Sequence, residues 1–132
     1  MNTETTDALR EENMKHGAIS WTELTTTDPK AALEFYTKLF HWKTEVMHME
    51  CMDYTIVKVG DRMIGGVMAG PAGAPVAWTS YVTVDNVDET AKLAESLGGK
   101  ICVPPTDIPE VGRFAVLADP QGAVIAAITH LK

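Results

Sequence analysis

SWTELTTTDPKAALEFYTKLFHW, Ser20 to Trp42, is the stretch whose reading decides the fold. From Trp21 to Thr27 large and polar residues mix in a Thr-rich run, the composition of a β-strand. Asp28 then supplies a carboxylate suited to an N-cap, and Pro29 occupies the first helical position, where a missing N–H costs nothing. Ala32, Phe35, Tyr36, Leu39 and Phe40 recur at three- and four-residue steps, with Lys30, Glu34 and Lys38 on the other side and Glu34 placed to pair with Lys38. The stretch therefore predicts a strand followed by an amphipathic helix lying on a sheet.

Working outward, a second passage, WTSYVTVDNVDETAKLAESLGGK from Trp78 to Lys100, repeats the arrangement, with Trp78 to Asp85 matching Trp21 to Asp28 at an offset of 57 residues. Asp85 or Asn86 caps its helix, Asn86 with Glu89 forming a capping box. Val87, Ala91, Ala94 and Leu97 make the apolar stripe, and Gly98-Gly99 ends it. After the first helix, 42–49, 54–59 and 63–68 read as strands, with Gly60-Asp61-Arg62 as a tight turn. After the second come a short strand at 100–103, a Pro-rich loop at 104–112 that forms a stiff rim or lid, and strands at 113–118 and 123–129. The expected fold is α+β: two tandem βαβββ units, about 17–69 and 76–130, joined by the breaker-rich linker 70–75 within one domain, 16–132. Residues 1–15 form a polar leader, expected to be mobile or to pack on a partner subunit.

Composition narrows the function classes. A chain of 132 residues with 45% hydrophobic content can bury a proper core. Its net charge of −7, with 11 scattered Lys and Arg, argues against nucleic acid and anionic membrane as partners. No apolar run has the length of a membrane span, and the N-terminus lacks the basic and apolar residues of a signal peptide, so a cytoplasmic location is expected. The two cysteines, Cys51 and Cys102, form no CxxC pair and read as reduced structural thiols. Met47, Met49, Met52, Met63 and Met68 concentrate in the first unit, as core filling or as an adaptable pocket wall or subunit interface.

Three pieces in order carry a family likeness: Asp28 followed by a helix ending FYTKLF, Val84-Asp85-Asn86 before the second helix, and GRFAVLADPQGA from Gly112 to Ala123. Over residues 17–130 the chain resembles the vicinal oxygen chelate superfamily of glyoxalases, bleomycin-resistance proteins and extradiol dioxygenases, and within it the metal-poor, glyoxalase-like branch. The resemblance implies a curved eight-stranded mixed sheet shaped as a cup, and a homodimer. It also implies ligand positions for a divalent metal, but these fall on Trp21, Thr79, Ala126 and a residue close to Gly65, none of which offers an imidazole or carboxylate. Neither metal nor other cofactor is therefore expected.

Other donors read as structural. His48, Glu50 and Cys51 suit an exposed strand edge, His16 and His130 a solvated terminal pair, and His41 the end of the first helix, where a cationic ring favours the dipole. Strand parity then lines the cup: Ile19, Trp21 and Glu23 share one face, Thr79, Tyr81 and Thr83 another, and Val124, Ala126 and Ile128 a third. The expected ligand-binding residues are Trp21, Glu23, Thr79, Tyr81, Ala126 and Arg113, with Glu23 and Tyr81 as catalytic candidates. Glu23 serves either as a general acid or base or as a structural ion-pair partner of Arg113. Two functions of different class follow. The first is binding of a small organic molecule in an apolar, aromatic cup without a metal. The second is a metal-independent lyase or isomerase using Glu23, and a metal-dependent lyase or dioxygenase with atypical ligands stands behind them.

Overall fold

The computed structural model describes residues 12–49, 52–109 and 111–131. They form eight strands and two helices: β1 (Ile19–Thr26), α1 (Pro29–Phe40), β2 (Lys43–Met49), β3 (Met52–Val59), β4 (Arg62–Ala69), β5 (Ala77–Thr83), α2 (Val87–Ser96), β6 (Lys100–Ile108), β7 (Gly112–Ala118) and β8 (Val124–His130). This is the expected α+β pattern of two βαβββ units. The chain divides into two compact units, Trp21–Thr79 and the segments flanking it, and each is described by itself.

In the unit Trp21–Thr79 the strands run in the order β2-β3-β4-β1, with β1 parallel to β4 and the other pairs antiparallel. Asp28 caps α1 by accepting the Ala31 N–H at 3.1 Å, and Pro29 opens the helix. His41 closes it in the left-handed conformation, φ 59°, donating its N–H to the Thr37 carbonyl at 2.8 Å. The strand faces beneath bury Leu24, Val57 and Val67 against Ala32, Leu33, Tyr36, Trp42 and Ile64. The expected helix stripe is thus corrected. Ala32 and Tyr36 pack inward with Leu33, whereas Phe35, Leu39 and Phe40 stay exposed, because at 100° per residue positions 35 and 39 lie a quarter-turn away from the packed row. The β3–β4 turn is Gly60-Asp61, and Gly60 adopts φ +59°, a conformation glycine enters without strain.

The second unit repeats the plan as β5-β8-β7-β6, with β5 parallel to β8. Asn86, rather than Asp85, caps α2, accepting the Glu89 N–H at 3.1 Å. Val84, Val87, Ala115 and Ala127 form the core under this helix, with Val82 packed against them. Residues ahead of β1 are held here: the Gly17 N–H bonds the Thr83 carbonyl, and the Thr83 hydroxyl donates to the Asn13 carbonyl at 2.6 Å. Of the expected leader 1–15, residues 1–11 lie outside the described residues. The Pro-rich loop at 104–112 is a second correction. Its first half continues β6 to Ile108, the outer strand of its group, where Pro104 and Pro105 need donate no ladder hydrogen bond and the pairing register shifts across them.

The caps also correct the repeat. Asp28 and Asn86 are 58 residues apart, not 57, so Trp21 corresponds to Thr79 and Glu23 to Tyr81. A one-residue slip exchanges the faces of a strand. Accordingly Trp78 packs on the α1 side, its ring 5.2 Å from that of Tyr36 and its indole N–H donating to the Tyr36 hydroxyl, whereas Trp21 stands on the opposite face.

Candidate functional site

Alternation along β1 sends Leu24 and Thr26 into the helix-side core and leaves Trp21 and Glu23, half-buried, on the other face. Register then places Glu23 beside Gly66 of β4, and Gly66 beside Ile56 of β3. Tyr54, two residues before Ile56, shares that face and lays its ring over Gly66; a Cβ at position 66 would run into the phenol. Only because residue 66 is glycine does the tyrosine hydroxyl reach across β4 to β1.

The result is a directed line of hydrogen bonds. The Trp21 indole N–H donates to the Tyr54 hydroxyl at 2.9 Å, and that hydroxyl donates to Glu23 Oε1, also at 2.9 Å. The two ring donors are satisfied, the carboxylate is oriented, and the indole and phenol present π-faces beside it. Trp21 and Glu23 are brought together as expected, and Thr79 lies half-buried in the same unit.

Tyr54 and Gly66 were missing from the expected set, and the reason is a β-bulge between Val57 and Lys58. Counting back from the Gly60-Asp61 turn without it would oppose Ile56 to Gly65; the bulge moves the partner to Gly66. The extra residue is Ile64 of β4, which stands between the partners of Lys58 and Val57, and nothing in its residue type announces the bulge.

In the other unit Tyr81 pairs in register with Ala126, and Ala126 with Val116. All of Tyr81, Thr83, Ala126 and Ile128 are buried, with the Phe114 ring 6.4 Å from Tyr81. Arg113 has the opposite parity on β7. It grips Asp88 of α2 with two bonds, 2.9 and 3.1 Å, and donates to Asp107 at 3.0 Å. Arg113 holds the Asp88 carboxyl below its ordinary value, and both carboxylates raise the guanidinium further. Two clefts among the described residues lie on the helix sides, one of about 400 Å³ beside Leu33 and Thr37, the other of about 210 Å³ beside Asp88 and Arg113.

The remaining donors are dispersed. His48 pairs with Asp53 across the β2–β3 hairpin at 2.8 Å in solvent, and Glu50 and Cys51 lie outside the described residues. His16 accepts the Asp85 N–H at 3.0 Å, while His130 bonds Ser20 at 3.3 Å and is pushed below its ordinary pKa by burial. Cys102 is a free, exposed thiol. Among the described residues no three His, Cys, Asp or Glu side chains are grouped to hold a metal ion, and no helix is long and apolar enough to cross a membrane.

Comparison with known proteins places this arrangement. "Putative glyoxylase CFP32" of Mycobacterium tuberculosis (strain CDC 1551 / Oshkosh) is 41% identical over 114 residues, 85% of this chain and 44% of that protein. "Anthracycline biosynthesis protein DnrV" of Streptomyces peucetius is 33% identical over 126 residues, 83% of this chain and 46% of that protein. The chain thus spans about half the length of the curated relatives it matches. Among solved structures, hypothetical protein BH1468 of Bacillus halodurans C-125 superposes with a TM-score of 0.67 at 12% identity, over 89% of this chain and 97% of that one. A methylmalonyl-CoA epimerase superposes at 0.63 and 15%, over 88% and 96%. At such identities the structures share the fold alone. Residues 18–127 match the sequence pattern of one family, and the chain belongs to the Glyoxalase/Bleomycin resistance protein/Dioxygenase superfamily.

Proposed function

We propose that this chain binds a small planar aromatic molecule, without a metal, on the face that carries Trp21, Tyr54 and Glu23. The observation that carries the reading is the directed line from indole to phenol to carboxylate over Gly66. It supports a stacking ligand because both ring donors are already engaged, so the ligand gains affinity from the π-faces, at roughly 0.5–1.5 kcal/mol per aromatic contact beyond area. The side chains at the family's ligand positions, an indole at Trp21 and a methyl at Ala126, support binding without a metal. The name of the anthracycline biosynthesis relative suggests a probe of the right shape. We further propose that the protein works in the cytoplasm as a homodimer.

Calorimetric titration with an anthracycline tests the binding. Trp21→Ala is expected to weaken it by at least about tenfold, the loss of one to two aromatic contacts. Equal affinity in the variant contradicts the reading. The Tyr54–Glu23 bond also favours a second reading, in which Glu23 exchanges a proton with substrate; turnover lost in Glu23→Gln supports it, and turnover unchanged by that substitution removes it.

A further inference from the structure

Met47, Met49 and Met52 stand where core filling does not explain them. The core of their unit, Leu24, Val57 and Val67, lies on the helix side of the sheet. Register sets Met47 opposite Tyr54 and Met49 opposite Met52, and directly opposed residues of an antiparallel pair share a face. All three methionines therefore lie on the face of the Tyr54 ring, away from that core. None is fully buried, and Met47 is 41% exposed.

Spacing brings their sulfurs within one another's reach. Opposed positions have Cβ atoms about 5 Å apart, and the diagonal Met47–Met52 and same-strand Met47–Met49 spacings are about 7 Å. Three rotatable bonds in each side chain let the sulfurs turn toward a common point. The harder donors nearby are engaged elsewhere. Alternation turns His48 and Asp53 to the other face, where they bond each other at 2.8 Å. Glu45 shares the methionine face but pairs with Lys58 at 3.5 Å. Among the described residues, the donors left to this end of the hairpin are three thioethers, a soft set that prefers a soft monovalent ion to zinc, magnesium or calcium.

We propose that Met47, Met49 and Met52 bind Cu(I) at the end of the β2–β3 hairpin. Each sulfur donates a lone pair to the ion, whose oxidation state does not change. The site lies on β2 and β3, apart from the family's ligand positions at Trp21, Thr79 and Ala126, and it does not depend on the proposed aromatic ligand.

Ag(I), an air-stable ion of the same charge and softness, is the probe. It is titrated into the intact chain carrying Cys51→Ser and Cys102→Ser, because thiolates take such ions ahead of thioethers. The seven methionine methyl groups, assigned by single Met→Leu substitutions, are followed by NMR. The signals of Met47, Met49 and Met52 are expected to move together and to stop at one ion per chain, and Zn(II) is expected to move none of them. Met49→Leu, which keeps the volume of the side chain and removes its sulfur, is expected to weaken binding at least about tenfold. Three signals that stay in place overturn the site, as does equal affinity in Met49→Leu. A response to Zn(II) equal to that for Ag(I) also overturns it, because thioethers do not select zinc.

Discussion

The two βαβββ units place equivalent residues in equivalent rows and put opposite chemistry on them. In one, Glu23, Gly66 and Ile56 lie side by side across three strands; in the other, Tyr81, Ala126 and Val116 do. Tyr54 leans over the first row to reach Glu23, and Phe114, its counterpart, approaches Tyr81. The first row keeps a half-buried carboxylate with its donors, while the second is closed and apolar. The helices differ in burial: α1 buries no residue fully and exposes Phe35, Leu39 and Phe40, whereas α2 buries Val87 and Ala91 although it also exposes Leu93. One backbone plan thus carries a polar, half-buried row in one unit and a closed, apolar row in the other.

The helix contrast predicts the largest effect. Val87→Ala, which removes a fully buried side chain, is expected to cost about 1.5–3 kcal/mol, whereas Phe35→Ala, in dilute monomeric protein, should cost less than about 0.5 kcal/mol. Urea unfolding of both variants checks this, and equal losses would erase the distinction between the helices. The row contrast comes next. Gly66→Ala drives its methyl into the Tyr54 ring and is expected to cost about 1–3 kcal/mol, together with the Trp21–Tyr54 bond, while Ala126 already carries that methyl in the other unit. Full stability in Gly66→Ala, with the bond intact by NMR, would mean that Tyr54 is not seated as described.

The smallest effect concerns His130, whose folded pKa lies below its value of 6.5 in the open chain because burial disfavours the imidazolium. The unfolded chain therefore takes up the proton first, and stability falls as pH drops below about 6.5. Thermal melting of His130→Gln should show a shallower decline in that range, and an identical decline would assign the acid sensitivity elsewhere. Asp88 acts in the same direction at lower pH: its carboxylate is favoured in the folded state by Arg113, so its contribution is present at neutral pH and lost as pH falls through its depressed folded pKa.

Much of the architecture was legible because local chemistry announces it. Asp28-Pro29 and Asn86 start helices, Gly60 and Gly98 mark turns, and the strand alternation of β1 already set Trp21 and Glu23 on one face. What escaped depended on register. The 57-residue echo of Trp21 in Trp78 was one residue short of the spacing between the two caps, although strand parity already set Thr79 rather than Trp78 as the counterpart of Trp21. The bulge opposite Val57 and Lys58 brought Tyr54 over Gly66, and its extra residue, Ile64 of β4, is an ordinary strand residue. Arg113 was read toward a ligand or Glu23, but Asp88, the second residue of α2, lies within its reach.

The most direct test of the binding site is the set of indole N–H signals from the three tryptophans, assigned by Trp21→Phe and followed by NMR as an anthracycline is added. The Trp21 signal should move with saturation while those of Trp42 and Trp78 stay in place. Movement of Trp42 and Trp78 with Trp21 fixed would put the ligand on the aromatic face of α1 and contradict the site drawn around Tyr54 and Glu23.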